Sequence, residues 1–382
     1  MENSPAVFDL LVITAANAAQ AKGYREQIRW RRGRGLLPDG IRVLVVADPG
    51  GRRAGSLGAT VNVLRKLGDL RGRNVFICHS GGDARRTPGY AAMGKAFTPL
   101  PLAGGTALFD LIFANMAKLP LPPGGGVLVA CGDVLISFDF HLANLSSPGV
   151  TGIGYLDGAE RASRHGVYEA GPQSRGPLRA VTGFLQKPKF TGGRHIVDTG
   201  IMWIDPATAR KMAARRGWSK GDLYDDFTRA LTGGFAPFHV YVARRCEFFH
   251  VGSSRELLRC MTAGSKTARR YGFDVGDPNL VGRDIFSASS ENIVTGLPAS
   301  LPGGVPATDA GSWAAILKKG ECITFLPVGK SDWVEVRYFI DDNFKEDGKW
   351  EKPLFRLGGR KVSLKELMPM VNHRRMLEAR RI

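Results

Sequence analysis

In Arg42-Val43-Leu44-Val45-Val46-Ala47-Asp48-Pro49-Gly50-Gly51-Arg52-Arg53-Ala54-Gly55-Ser56-Leu57-Gly58-Ala59-Thr60, an apolar, β-branched run stops at a loop rich in Gly, Arg, Ser and Thr, and a helical pattern follows over 61–67. Glycine lets the backbone approach a ligand closely, and the N–H groups at a helix start favour an anion. Arginine adds bidentate, charge-assisted hydrogen bonds to phosphate oxygens. An α/β protein holds a nucleotide in this way. A second copy of the chemistry follows. The buried run Asn74-Val75-Phe76-Ile77-Cys78-His79 leads into Ser80-Gly81-Gly82-Asp83-Ala84-Arg85-Arg86 and then Gly94-Lys95-Ala96-Phe97-Thr98-Pro99-Leu100-Pro101. One such loop is weak evidence, because tight turns also need glycine. Two on successive strands favour a polyphosphate site.

Outward from these loops, apolar runs alternate with helical patterns. Strands are expected over 8–14, from Val43, from Val75 and over 126–133, with helices over 15–34, 61–67 and 108–118. That spacing predicts right-handed βαβ units in a mostly parallel, doubly wound, Rossmann-like sheet. From Val150 the runs shorten, with strands expected over 152–155, 166–169, 181–185, 200–204, 238–243 and 248–252. Helices are expected over 206–216, 223–231 and 254–262. Beyond Asp277 the pattern is β-rich, with a Pro/Gly stretch at 297–306, strands over 321–327 and 333–340, and a basic helical tail from Leu364. The division expected is 1–276 as the nucleotide-handling domain and 277–382 as a small β-rich domain.

The 382 residues are 43% hydrophobic and 23% charged, which describes a globular chain with a sizeable core. No run is apolar enough to span a membrane, and residues 1–20 carry Glu2 and Asp9 without a basic start, so neither membrane nor signal peptide is expected. Five scattered cysteines without C-x-x-C spacing point to reduced thiols and a cytoplasmic setting. The net charge of +18 invites a nucleic-acid reading. The basic residues are dispersed, however, as in 29–34, 266–270 and 373–381, and no nucleic-acid motif accompanies them. A surface that attracts phosphorylated small molecules accounts for the charge better than specific nucleic-acid binding.

Gly89-Tyr90-Ala91-Ala92-Met93-Gly94-Lys95-Ala96 nearly matches a P-loop, but Ala96 stands where a Ser or Thr hydroxyl must hold magnesium. Lys95 still serves as a point charge for phosphate. Asp133, at the carboxyl end of a buried strand, is the candidate metal ligand; magnesium asks for one or two carboxylates plus substrate phosphates. A turn or cap role is the alternative. Lys187 and Asp198 lie near strand boundaries, and His250 ends a strand before a capped helix.

In order, 48–60, His79-Ser80-Gly81-Gly82 with Arg86, 94–101, Gly132-Asp133-Val134-Leu135, His165-Gly166-Val167-Tyr168, Gln186-Lys187-Pro188, Asp198-Thr199-Gly200-Ile201 and 247–254 resemble the L-fucokinase and fucose-1-phosphate guanylyltransferase family, in its nucleotidyltransferase portion. The resemblance implies a sugar-nucleotidyltransferase fold that makes GDP-fucose and pyrophosphate from GTP and fucose 1-phosphate, with Mg2+ or Mn2+. It implies catalytic roles for Arg53, Lys95 and Lys187, and nucleotide contacts from Gly55, Ser56, Gly58, Ala59, Thr60, Gly81, Gly82 and Arg86. Lys187, Asp198 and Gly166 would meet the sugar phosphate, and Asp133 and His250 the metal. Leu57 stands in place of a glycine and Thr87 in place of a leucine, and Leu57 is expected to narrow the loop. No kinase loop follows, so kinase activity is not expected. Another sugar or base, a non-catalytic nucleotide-binding protein and a general polyanion-binding surface stay open, as does homo-oligomerisation.

Overall fold

The computed structural model describes residues 7–100, 102, 105–145, 148–172, 178–261, 265–272, 279–281, 284–298, 313 and 315–379. The chain forms two compact units. The first is built from the described residues of Met1–Ala21, Gly35–Gly81 and Ile112–Phe248, the second from those of Lys22–Arg34, Gly82–Leu111 and Phe249–Ile382.

The first unit holds β1 (Leu10–Ala15), β2 (Arg42–Ala47), α2 (Gly55–Leu67), β3 (Asn74–His79), β4 (Gly126–Cys131), β5 (Val134–Ser137), β6 (Val150–Gly158), α4 (Ala159–Ala162), β7 (Gly166–Ala170), β8 (Leu178–Gln186), β9 (Arg194–Ile204), α5 (Pro206–Ala214), α6 (Thr228–Thr232) and β10 (Phe238–Ala243). Two helices divide between the units: α1 (Ala18–Gly33) and α3 (Leu108–Met116). A nine-stranded sheet runs β2-β1-β3-β4-β9-β6-β10-β8-β7. Its first four strands are parallel, and β1 is buried at every position, as a central strand covered on both faces must be. Val61 and Leu64 of α2 join Leu10, Val12, Val75, Ile77, Val127 and Met202 in one core. Burial of each such side chain contributes ~1.5–3 kcal/mol.

Beyond β4 the expected mostly parallel, doubly wound pattern gives way. β9 enters antiparallel to both β4 and β6, and β8 antiparallel to β10. β7 pairs with β8 and also returns to β9, so β9, β6, β10, β8 and β7 close into a ring. The physical reason is the glycine content of these short strands. The Tyr168 ring of β7 occupies the space where side chains at Gly152 and Gly154 would stand, and it packs edge-on against Phe184 of β8 and Phe238 of β10. Small residues opposite one aromatic let the sheet curl onto itself.

The second unit contains β11 (Glu247–His250) in part, α7 (Ser254–Met261), α8 (Lys266–Tyr271), β12 (Asn279–Val281), β13 (Asp284–Ser287), β14 (Asn292–Thr295), β15 (Glu321–Val328), β16 (Asp332–Phe339), β17 (Phe355–Leu357), β18 (Arg360–Val362), α9 (Leu364–Leu367) and α10 (His373–Ala379). Strands β12 to β16 form one sheet in sequence order, with Ile285, Val294, Ile323 and Phe325 in its core. Most of 277–382 thus lies in a unit that also takes in residues 22–34 and 82–111. The Pro/Gly stretch beyond Pro298, the helix end at Thr262, and Arg380 and Arg381 lie outside the described residues. Arg31, one of the basic run 29–34, is buried. It forms a two-bond pair with Asp110 at 2.7 and 3.1 Å and lies over the Phe97 ring.

Candidate active site

The loop after β2 is closed from below and open above. The Asp48 N–H donates to the Ala15 carbonyl at 2.8 Å, tying the end of β2 to the end of β1. Asp48 Oδ2 accepts the Ala54 N–H at 3.0 Å and closes the loop. Burial raises the Asp48 carboxyl above its usual value, against the lowering effects of that N–H and of the nearby Arg53 charge. Gly50 and Gly51 have φ of 60° and 67°, with open space where a side chain would go, and Arg52 and Arg53 are exposed. This is the accessible, positively charged rim.

The helix begins six residues earlier than the sequence pattern suggests, so Ser56, Leu57, Gly58, Ala59 and Thr60 are helical. Gly55 and Gly58 are there for packing: a Cβ would come within 2.2 Å of the Gly221 carbonyl oxygen and 2.6 Å of the Ser219 carbonyl oxygen, respectively. Ser56 Oγ accepts the Leu223 N–H at 2.7 Å. Thr60 is fully buried, with its hydroxyl 2.9 Å from both the Ser56 carbonyl and His79 Nε2. His79 Nδ1 lies 3.2 Å from the Thr14 hydroxyl, and burial pulls its pKa down to about 4, which keeps the ring neutral. Leu57 is in the core and does not narrow the loop. Ala54 supplies no side-chain cap to α2; the Asp48 carboxylate takes the Ala54 N–H, and the Gly221 carbonyl takes the Leu57 N–H at 3.0 Å. Gly81 sits beside the Ala16 N–H and Thr14, at the same ends of β1 and β3.

A second group surrounds the end of β4. Gly132 donates to the His79 carbonyl at 2.8 Å, carrying Asp133 past the strand end. Burial pushes the Cys131 thiol well above its usual value, and the charges of Asp133 and Asp198 add to the effect. Cys131 Sγ donates to the Tyr224 hydroxyl at 3.0 Å, which donates to the Gly200 carbonyl at 2.8 Å. Asp198 is aimed by a bulge: Ile153 pairs with Ile201 while Gly154 pairs with Asp198, so Thr199 and Gly200 are extra. Gly200 takes φ 72°, and a side chain there would meet Cys131 Sγ at 3.0 Å. The Tyr168 hydroxyl donates to Asp198 Oδ1 at 2.6 Å, yet burial dominates and lifts the Asp198 pKa to about 6.

Gly166 opens β7 with no room for a side chain, which would reach 2.4 Å from the Phe184 ring and 3.4 Å from Asp198 Cβ. Lys187 leaves β8 exposed and at φ 48°, its N–H donating to the His165 carbonyl at 3.1 Å. A lysine in the left-handed region before a proline is strained twice over, a feature that concentrates at functional sites. Asp133, Gly166, Lys187 and Asp198 thus share one unit with the 48–60 loop. Tyr168, Tyr224 and Cys131, which position them, were not legible as site residues. The one available signal was that Cys131 directly precedes Gly132-Asp133.

Gly82, Arg86, Lys95 and His250 belong to the second unit. There the Arg86 carbonyl accepts the Ser254 N–H at 3.1 Å, and Ser253 Oγ accepts the Glu256 N–H at 3.2 Å to cap α7 beside His250. Lys95 is half-buried and follows Gly94, whose φ of 79° and close contact with Tyr24 Oη admit no side chain. Among the described residues no group of three or more His, Cys, Asp or Glu could hold a metal ion. The hard oxygen donors of Asp133 fit a magnesium ion that takes its other ligands from substrate phosphates and water. His250 forms part of no such group.

Residues 68–236 match the family model described as the fucose pyrophosphorylase domain. Asp133, Gly166, Lys187 and Asp198 all lie inside the matched span, whereas the 48–60 loop precedes it. The chain is 31% identical over 176 residues to human (Homo sapiens) fucose-1-phosphate guanylyltransferase, covering 43% of this chain and 29% of that protein. It is 31% identical over 347 residues to the mouse (Mus musculus) protein of the same name, covering 69% and 58%. The chain therefore spans less than two thirds of either relative's length. Among solved structures, HddC from Yersinia pseudotuberculosis aligns with 65% of this chain and 96% of its own at 10% identity and a TM-score of 0.37. No helix among the described residues is long and apolar enough to cross a membrane.

Proposed function

We propose that this chain is a sugar-1-phosphate nucleotidyltransferase that converts fucose 1-phosphate and GTP to GDP-fucose and pyrophosphate. The observation that carries the reading is the match of residues 68–236 to the fucose pyrophosphorylase model, a span that holds Asp133, the strained Lys187 and the buried Asp198. In this reaction a sugar-phosphate oxygen attacks the α-phosphorus of the triphosphate in line. The new P–O bond forms as the bond to the bridging oxygen breaks, and pyrophosphate leaves with that electron pair. The nucleophile is already an anion, so no general base is needed. The chemistry reduces to holding two repelling anions in line and offsetting their charge.

In this reading Arg53 holds the triphosphate, and Lys187 neutralises the sugar phosphate. Asp133 holds Mg2+, which polarises the phosphoryl oxygens when bound. Tyr168 and the 199–200 bulge fix Asp198 for a sugar hydroxyl. Lys95, of the second unit, is tested by its own substitution. The reduced cysteines accord with a cytoplasmic setting. The test is pyrophosphate release from each common NTP with a set of sugar 1-phosphates. GTP with fucose 1-phosphate is expected to lead; GTP binding without release under any pairing refutes catalysis.

A further inference from the structure

The ring of β9, β6, β10, β8 and β7 has a mouth that the nucleotidyltransferase reading does not use. β6 and β10 run parallel; β10 ends at Ala243 opposite Tyr155, β6 runs on to Gly158 opposite Arg194 at the start of β9, and β8 begins at Leu178 opposite Tyr241. A cavity of about 390 Å³ opens there, lined by Tyr155, Val242, Arg179, Arg194, Arg244 and Arg245 among others. Its size falls within the ~300–1,000 Å³ of small-molecule pockets, and barrel mouths are among their usual places.

The lining has four arginines and no acidic residue, with the Asp157 and Glu247 carboxylates acting on its Tyr155 and Cys246. Arg194 is held by donation from Nη2 to the Leu156 carbonyl at 3.1 Å, and Arg245 follows β10 in the left-handed region at φ 50°. The loop turns through a backbone conformation costly for arginine, and two consecutive guanidinium groups, Arg244 and Arg245, border the cavity. Like charges sharing a recess repel, and the repulsion grows as water is excluded. A multivalent anion converts that repulsion into attraction, and guanidinium forks match phosphate oxygens bidentately. Tyr155, stacked on Phe248 at 5.6 Å, and Val242 provide an apolar wall. Arg179 and Lys187 belong to opposite ends of β8, about 25 Å apart along an extended strand. Arg179 therefore stands far from Lys187, while Tyr155 pairs with Val197, one residue before Asp198.

We propose that this cavity is a second anion site, which takes a diphosphate group. Inorganic pyrophosphate and the diphosphate of a nucleotide share that chemistry. The test is calorimetric titration of the full chain at 0.15 M salt without divalent metal, using pyrophosphate in one arm and GDP in the other. The proteins are the native chain, Arg244→Gln/Arg245→Gln, Arg194→Gln and Lys187→Ala. The expected result is at least tenfold weaker binding of one or both probes in the double variant and in Arg194→Gln, with Lys187→Ala unchanged at this site. Loss of pyrophosphate binding identifies the free anion as ligand, and loss of GDP binding alone identifies a nucleotide; either supports the site. Native affinity for both probes in the double variant, or no measurable binding to the native chain, overturns it. Arg244 and Arg245 are exposed, so the double variant leaves the core intact. No turnover enters the measurement, so its failure leaves the pyrophosphorylase reading standing, and an inactive enzyme leaves this site standing.

Discussion

Replacing Asp198 by Asn tests the electrostatics of the bulge directly. Burial holds the Asp198 carboxyl at about 6 in place of 3.8, although Tyr168 and the backbone N–H groups of Thr199 and Gly200 pull it down. The folded state therefore binds this proton more tightly than the unfolded chain. Its contribution to stability is fully present below pH ~4 and is lost as pH rises through ~6. At ~1.4 kcal/mol for each tenfold in proton affinity, the whole penalty is about 3 kcal/mol, of which about 2 develops between pH 4.5 and 8. Asn keeps an acceptor for the Tyr168 hydroxyl but turns an NH2 toward the backbone donors, a pH-independent cost of ~1–3 kcal/mol. His79, neutral and held at about 4, destabilises the protein as pH falls below ~6.5, but equally in both proteins. Urea unfolding of Asp198→Asn and the native chain at pH 4.5, 6 and 8 is the assay. The stability difference should move by about 2 kcal/mol in favour of the variant across that range. A difference constant with pH means Asp198 is not a buried, proton-hungry carboxylate, and the account of the site fails.

Asp133→Asn and Lys95→Ala should each cut pyrophosphate release at least ~100-fold with unchanged far-ultraviolet dichroism, the scale of removing one charge stabiliser from a transition state; native turnover would remove that residue from the mechanism. Gly58→Ala should cost ~1–3 kcal/mol in urea unfolding, because the Ser219 carbonyl and Ala54 Cβ stand 2.6 and 2.9 Å from the new methyl. Gly51→Ala, with open space around it, should cost only the left-handed backbone, ~1–2 kcal/mol. Thr60→Val strands His79 Nε2 in the core and should cost ~1–3 kcal/mol by the same assay, with little change in nucleotide affinity. A large loss of affinity at unchanged stability would return Thr60 to the phosphate site.

The parallel strands β1 to β4 were legible because each is a short apolar run bounded by glycine or charge, and a buried parallel strand requires that composition. Asp133 was legible as a strand-end carboxylate, and Arg53 as a cation in a glycine loop. The start of α2 was misread because Gly55 and Gly58 imitate loop glycines, whereas they clear space for the carbonyls of Gly221 and Ser219, more than 150 residues away in sequence. Tyr168 lies 30 residues from Asp198 and Cys131 lies 93 from Tyr224, so their roles too exist only in the folded chain.

Residue order alone thus carried the alternation of strands and loops, the dispersed positive charge and the ordered set of motifs that resembles the family, because these depend on local backbone preference and side-chain chemistry. Tertiary structure decided that the sheet curls into a ring, that Thr60 and Leu57 face the core, and that burial retunes Asp198 and His79. Sheet curvature, burial and electrostatic environment are properties of atoms brought together from remote positions, and no local pattern encodes them.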